Sequence, residues 1–103
     1  EVEIVLAKVP SWNTENGKKT IQKMVSLASL TRNGFMSGDI STIMSPRTVI
    51  TWAENAEILG DISLSFHLSF LNKCDEIERD IVKEYYQRCF DIDLEINKNL
   101  EAS

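Results

Sequence analysis

The sequence is short of the residues from which most sites are built. It has one histidine, His67, and two cysteines, Cys74 and Cys89. A single imidazole in an apolar stretch supports no serine–histidine–acid triad and reads as a structural or surface residue. Two thiols without Cys-x-x-Cys spacing are too few for a disulfide scaffold, and with one histidine they make a poor zinc set. They read as free thiols, which suit a reducing, cytoplasmic setting. A Gly-rich phosphate loop leading into Lys-Ser or Lys-Thr is missing. No apolar run approaches the roughly 20 residues that cross a bilayer, so neither a transmembrane helix nor a membrane partner is expected. Cations are in deficit, with 11 Lys and Arg against 16 Asp and Glu for a formal charge of −5. That balance argues against a nucleic-acid partner, because non-specific binding needs cations to displace counterions from phosphates. No initiator Met and no signal-peptide pattern opens the chain, which therefore reads as a piece of something longer.

Four glycines and two prolines leave few turns in 103 residues, so long elements are expected. The length allows one domain, and a hydrophobic share of 43% is enough for a core. Glu1 to Val9 fits a strand or a short helix, ended by Pro10, and residues 1–12 read as a connecting segment. From Thr14 to about Arg32 the pattern is helical. Ile21, Met24, Val25 and Ala28 fall at i, i+3, i+4 and i+7, and Asn33-Gly34 offers a left-handed stop. Phe35 to Met44 reads as a loop. Ser45-Pro46 then has N-cap and first-turn chemistry, and Val49, Trp52, Ala53 and Ala56 carry a stripe up to Gly60.

Residues 62–71 are ambiguous. Ile62, Leu64, Phe66, Leu68 and Phe70 alternate with Ser63, Ser65, His67 and Ser69, which taken alone means a strand. Leu64, Leu68 and Leu71 also fit i, i+4 and i+7, and a lone strand would have no partner, so a helix capped by Asp61 is preferred. Asp75 and Glu78 have capping-box spacing for a last helix reaching Phe90, with Ile81, Val82, Tyr85 and Cys89 on one face. The acidic run Asp75, Glu76, Glu78 and Asp80 fits a solvated helix start. Residues 91–103 form an acidic tail. The expected fold is all-α: a small bundle of four main helices over residues 13–90, behind the N-terminal connector. Ile21, Met24, Val25, Ala28, Val49, Trp52, Ala53, Leu68, Val82 and Tyr85 are expected in or near its core.

The chain shows no complete catalytic or metal site. One position stands out. Arg47 lies in the first turn of the helix that Ser45 and Pro46 begin, where the helix dipole disfavours a cation. It either points to solvent or an ordinary carboxylate, or joins the free N–H groups of the helix start as an anion receptor. Trp12 and Trp52 read as packing residues. A helix, a Gly-containing turn and then Ser45 to Trp52 also looks like a helix-turn-helix DNA reader. Against it stand the acidic charge, the long connection before Ser45, and Val49 and Trp52 on the apolar stripe.

Ser45-Pro46-Arg47 at a helix start resembles the sensor-2 motif of AAA+ ATPases of the MoxR-like branch. Longer strings resemble the CobS-type ATPase subunits of aerobic cobaltochelatases. They run from Glu15 to Lys19, Lys23 to Arg32, Gly38 through Ala56, Phe70 to Glu76 and Glu84 to Phe90. His67 departs from the pattern, in which Arg is expected. The resemblance spans residues 1–90 and implies a C-terminal helical lid that follows a nucleotide-binding core lying outside this sequence. It further implies ATP and Mg²⁺ as cofactors of the whole protein, none of them held by this piece alone. The implied partners are the ATPase core, a homo-oligomeric ring, a von Willebrand A-type subunit and a large chelatase subunit. The implied role is coupling ATP hydrolysis to cobalt insertion into a corrin ring in cobalamin biosynthesis, or to remodelling of another metal-handling complex. Arg47 is the one residue placed at the nucleotide, with Ser45 and Pro46 shaping its helix. It should be solvent-accessible here, and this chain alone should not hydrolyse ATP.

Overall fold

The computed structural model describes residues 1–90, and the acidic tail lies outside the described residues. Five α-helices account for most of it: α1 (Val2–Lys8), α2 (Glu15–Ser37), α3 (Pro46–Leu59), α4 (Ile62–Ser69) and α5 (Arg79–Phe90). Short 3-10 turns fill Pro10–Trp12, Leu71–Lys73 and Glu76–Glu78. Among the described residues there is no strand, and the all-α expectation holds. The N-terminal segment supplies the helix beyond the four expected. It is built into the domain, since Val5 and Val9 are buried where α1 packs on α2 and α3.

The core forms where α3 lies against α4 and α2 against α5. Trp52 stands at its centre, fully buried, with its ring centroid 5.0 Å from Phe66, 5.8 Å from Phe90 and 6.3 Å from Tyr86. Its indole Nε1 donates to the Ile62 carbonyl at 3.0 Å, so its one polar atom is satisfied. Trp12 does likewise towards the Ala53 carbonyl at 2.9 Å, and both tryptophans are packing residues as expected.

Three expectations need correction. The second helix does not stop at Gly34. It runs to Ser37, and the left-handed cap falls on Gly38 at φ 82°. Gly34 is glycine for another reason: the Tyr85 hydroxyl occupies the space a Cβ would need. In α4 the Asp61 cap is present, its carboxylate accepting from the Leu64 N–H at 3.0 Å. The helix ends at Ser69, leaving Phe70 and Leu71 beyond it, and Leu68 is 51% exposed, outside the core. The buried face is Ser65, Phe66 and Ser69, because the small serines let α4 approach α3 closely. Asn55 of α3 reaches across to donate to the Ser69 hydroxyl at 2.9 Å. Third, Asp75 and Glu78 form no capping box. A 3-10 turn starts there without a side-chain cap, and both carboxylates turn to Ser41.

Candidate functional site

The start of α3 is held from three directions. Ser45 is the N-cap in extended conformation, its hydroxyl accepting from the Thr48 N–H at 3.3 Å and lying 3.1 Å from the Thr48 hydroxyl. Pro46 opens the helix, where its missing N–H costs nothing and its fixed φ suits the first turn. The strand of chain leading in is pinned at both ends. Near its beginning, the Ser41 N–H and hydroxyl donate to Glu78 Oε1 at 2.7 and 3.0 Å. At its end, the Met44 N–H donates to Thr31 Oγ1 at 3.0 Å, and Arg32 Nε donates to the Met44 carbonyl at 3.2 Å. Ile40 and Met44, at the two ends of this segment, sink their side chains into the core. The connection is therefore a fixed bracket.

Arg47 follows on the outward face, exposed as expected. Its side chain makes no hydrogen bond or ion pair with the described residues. The solvated stripe it begins continues through Glu54 and Ile58. Glu54 and Glu57 are exposed on the same helix, and their charge opposes an approach to DNA phosphates.

The remaining reactive groups point elsewhere. Cys74 is buried and donates weakly to the Phe70 carbonyl at 3.5 Å. Burial first, and then the neighbouring Glu78 carboxylate, push its thiol up to about 11. Cys89 is raised by burial as well, so both stay protonated near neutral pH and are poor nucleophiles or metal ligands. His67 sits half-buried on α4 beside the edge of the Phe66 ring. Among the described residues no group of three or more His, Cys, Asp or Glu could hold a metal ion. No described helix is long and apolar enough to cross a membrane. An open groove of about 720 Å³ between α2 and α5 collects Lys19, Lys23 and Arg88. Two of these cations are already engaged, Arg88 by Glu84 at 2.6 Å and Lys23 over the Phe90 ring at 5.8 Å.

The residues that the sequence pattern does not single out are Thr31, Arg32 and Glu1. Thr31 is fully buried and lies on the core face of α2, donating to the Ala28 carbonyl at 2.7 Å while it accepts from Met44. A hydroxyl on an apolar stripe is the signal that could find it, since a buried polar group needs a partner. Arg32 carries no such signal. Its partner Glu1 is 31 residues away, joined through two parallel contacts of 2.8 and 2.7 Å.

Comparison with known proteins places the chain beside a curated relative, the aerobic cobaltochelatase subunit CobS of a Sinorhizobium species. The two are 60% identical over 94 residues, 91% of this chain and 28% of the relative. No family model matches, and no solved structure matches. The chain is thus similar, over nearly its whole length, to the C-terminal portion of that cobaltochelatase subunit, and it spans less than a third of it.

Proposed function

We propose that this chain is the C-terminal lid of a MoxR-like AAA+ ATPase subunit that couples ATP hydrolysis to cobalt insertion into a corrin ring in cobalamin biosynthesis. One observation carries the reading: Arg47, exposed and unpaired among the described residues, on a helix start held by Ser45, Thr31 and Arg32. A guanidinium without a local anion, fixed beside the N–H groups of a helix start, is prepared for one supplied from outside. The 60% identity to a cobaltochelatase subunit directs the reading towards cobalt.

In this reading ATP is the substrate, bound on a core that lies outside these residues. Mg²⁺ would be held there too, together with the nucleotide phosphates. Arg47 brings positive charge to the γ-phosphate when the lid closes, where charge is greatest before the phosphate leaves. Ser45 and Pro46 fix the turn from which it reaches. The subunits act as a homo-oligomeric ring with a von Willebrand A-type partner and a large chelatase subunit.

The test compares one substitution in two settings. In the full-length protein, Arg47→Ala should slow ATP hydrolysis by about 10²-fold, the scale for removing one transition-state donor. In the 103-residue chain the same change should leave the melting temperature nearly unaltered, because no described contact is lost. Arg47→Lys should recover only part of the rate, since a point charge cannot reproduce a planar fork. Normal hydrolysis with altered stability would reject the reading.

A further inference from the structure

We infer that Arg32 is the positioning residue for Arg47, tying α1 to the start of α3 so that movement of the N-terminal helix is felt where Arg47 projects. The inference rests on the reading of Arg47 as a phosphate contact.

One planar group makes three contacts in two directions. Arg32 Nη1 and Nη2 grip the two carboxylate oxygens of Glu1 at 2.8 and 2.7 Å, while Nε donates to the Met44 carbonyl at 3.2 Å. A bidentate fork fixes orientation as well as distance, so the guanidinium plane is set by Glu1 and the carbonyl is met only in that plane. The neighbouring Thr31 takes the Met44 N–H. Consecutive residues of α2 therefore hold both backbone polar groups of Met44, three residues before Arg47. Met44 is fully buried, so the lead-in cannot slide without unseating its side chain from the core. Glu1 stands at the head of α1, whose Val5 and Val9 pack into the same core. A tilt of α1 that withdraws Glu1 rotates the fork, weakens the bond to Met44 and loosens the turn that aims Arg47. The carboxyl of Glu1 is correspondingly held below its ordinary range, chiefly by the Arg32 hydrogen bond.

The experiment is a set of steady-state ATPase measurements on the full-length protein that carries this chain. It compares the parent protein with Arg32→Lys, Glu1→Gln, Arg47→Ala and the double variants Arg32→Lys/Arg47→Ala and Glu1→Gln/Arg47→Ala. Lysine keeps a charge near Glu1 but cannot hold the carboxylate and the Met44 carbonyl together. Arg32→Lys should lower kcat about tenfold, as small misplacements of a reacting group do, with KM for ATP little changed. The double variant Arg32→Lys/Arg47→Ala should be no slower than Arg47→Ala alone, because Arg32 acts through Arg47. Glu1→Gln should fall between the parent and Arg32→Lys, and should also have no effect once Arg47 is gone. An unchanged kcat in Arg32→Lys, or a double variant slowed by the product of the two single effects, would overturn the inference while leaving the role of Arg47 standing. Normal hydrolysis by Arg47→Ala would remove that role and the inference together. If Arg32→Lys loses its helical circular dichroism, Glu1→Gln decides by the same two comparisons, since it keeps Arg32 and a side chain of equal size at position 1 while removing the carboxylate that orients the fork.

Discussion

Thr31 illustrates how much a single hydroxyl can hold. It gives its proton to the Ala28 carbonyl and receives the Met44 N–H, with no solvent to replace either partner. Thr31→Val keeps the shape and strands a buried N–H, at a cost of about 1–3 kcal/mol. For a domain of this size each kcal/mol lowers the melting temperature by about 4–8 °C. Thr31→Ser keeps the hydroxyl and should melt well above the valine variant, which thermal circular dichroism can check. At Glu1 the corresponding handle is pH. Arg32 lowers its carboxyl below 4.5, by hydrogen bond first and charge second, against the opposing effect of burial. The folded state thus binds that proton less tightly than the unfolded one. The pair stabilises the fold above the ordinary carboxylate range, and the contribution is lost as pH falls through the lowered value. Melting temperatures of the parent chain and Glu1→Gln should therefore differ at neutral pH and converge in acid. A gap that stays constant with pH would show that the Arg32 pairing adds nothing to stability.

Among the elements, α4 shows where a sequence pattern can mislead about a face and still reveal an element. The period-two alternation from Ile62 to Phe70 arises because serine and large apolar residues happen to alternate. The helix was legible from the Asp61 cap and from the absence of a partner strand. The buried face was not legible, because polarity alone cannot tell that Ser65 and Ser69 are chosen for size. Ser65 satisfies its hydroxyl within the helix, donating to the Ile62 carbonyl at 2.9 Å, and Ser69 accepts from Asn55. Leu64 and Leu68 remain 46% and 51% exposed. Leu68→Gln should accordingly change stability by no more than about 0.5 kcal/mol. Ser65→Leu should cost about 1–3 kcal/mol by overpacking the α3–α4 contact. The reverse order in a urea titration would restore the leucine face as the core. The start of α3 was legible in full, since Ser45 and Pro46 signal it locally. Its bracket was not, because Ser41 meets Glu78 and Arg32 meets Glu1 only after distant helices have docked. The same docking explains Gly34: its place under the Tyr85 hydroxyl is set by α5, so it reads locally as a helix stop.

The whole molecule is joined by two different kinds of contact. Aromatic packing unites α3, α4 and α5, with Phe66 4.9 Å from Tyr86 and Tyr86 stacked on Phe90 at 4.6 Å, all around Trp52. Hydrogen bonds and the single ion pair of Arg32 join α1 and α2 to the head of α3. Both meet in α3, so the two halves should not unfold separately. Phe66→Ala removes the ring that touches Trp52, Tyr86 and Phe70, and such truncations cost about 3–5 kcal/mol. Domains of this size are stable by only about 5–15 kcal/mol in total, so the loss takes a large share. In this variant far-ultraviolet helicity and tryptophan fluorescence should still report one coincident transition, shifted to lower urea. The reason lies in Trp52, whose indole bonds to Ile62 while its helix begins at the bracket that Thr31 and Arg32 hold. Loosening the aromatic side thus weakens the same helix on which the polar side depends. A helical signal that survives after the fluorescence change is complete would show instead that α1 and α2 hold together without the aromatic core, and the two kinds of contact would then be independent.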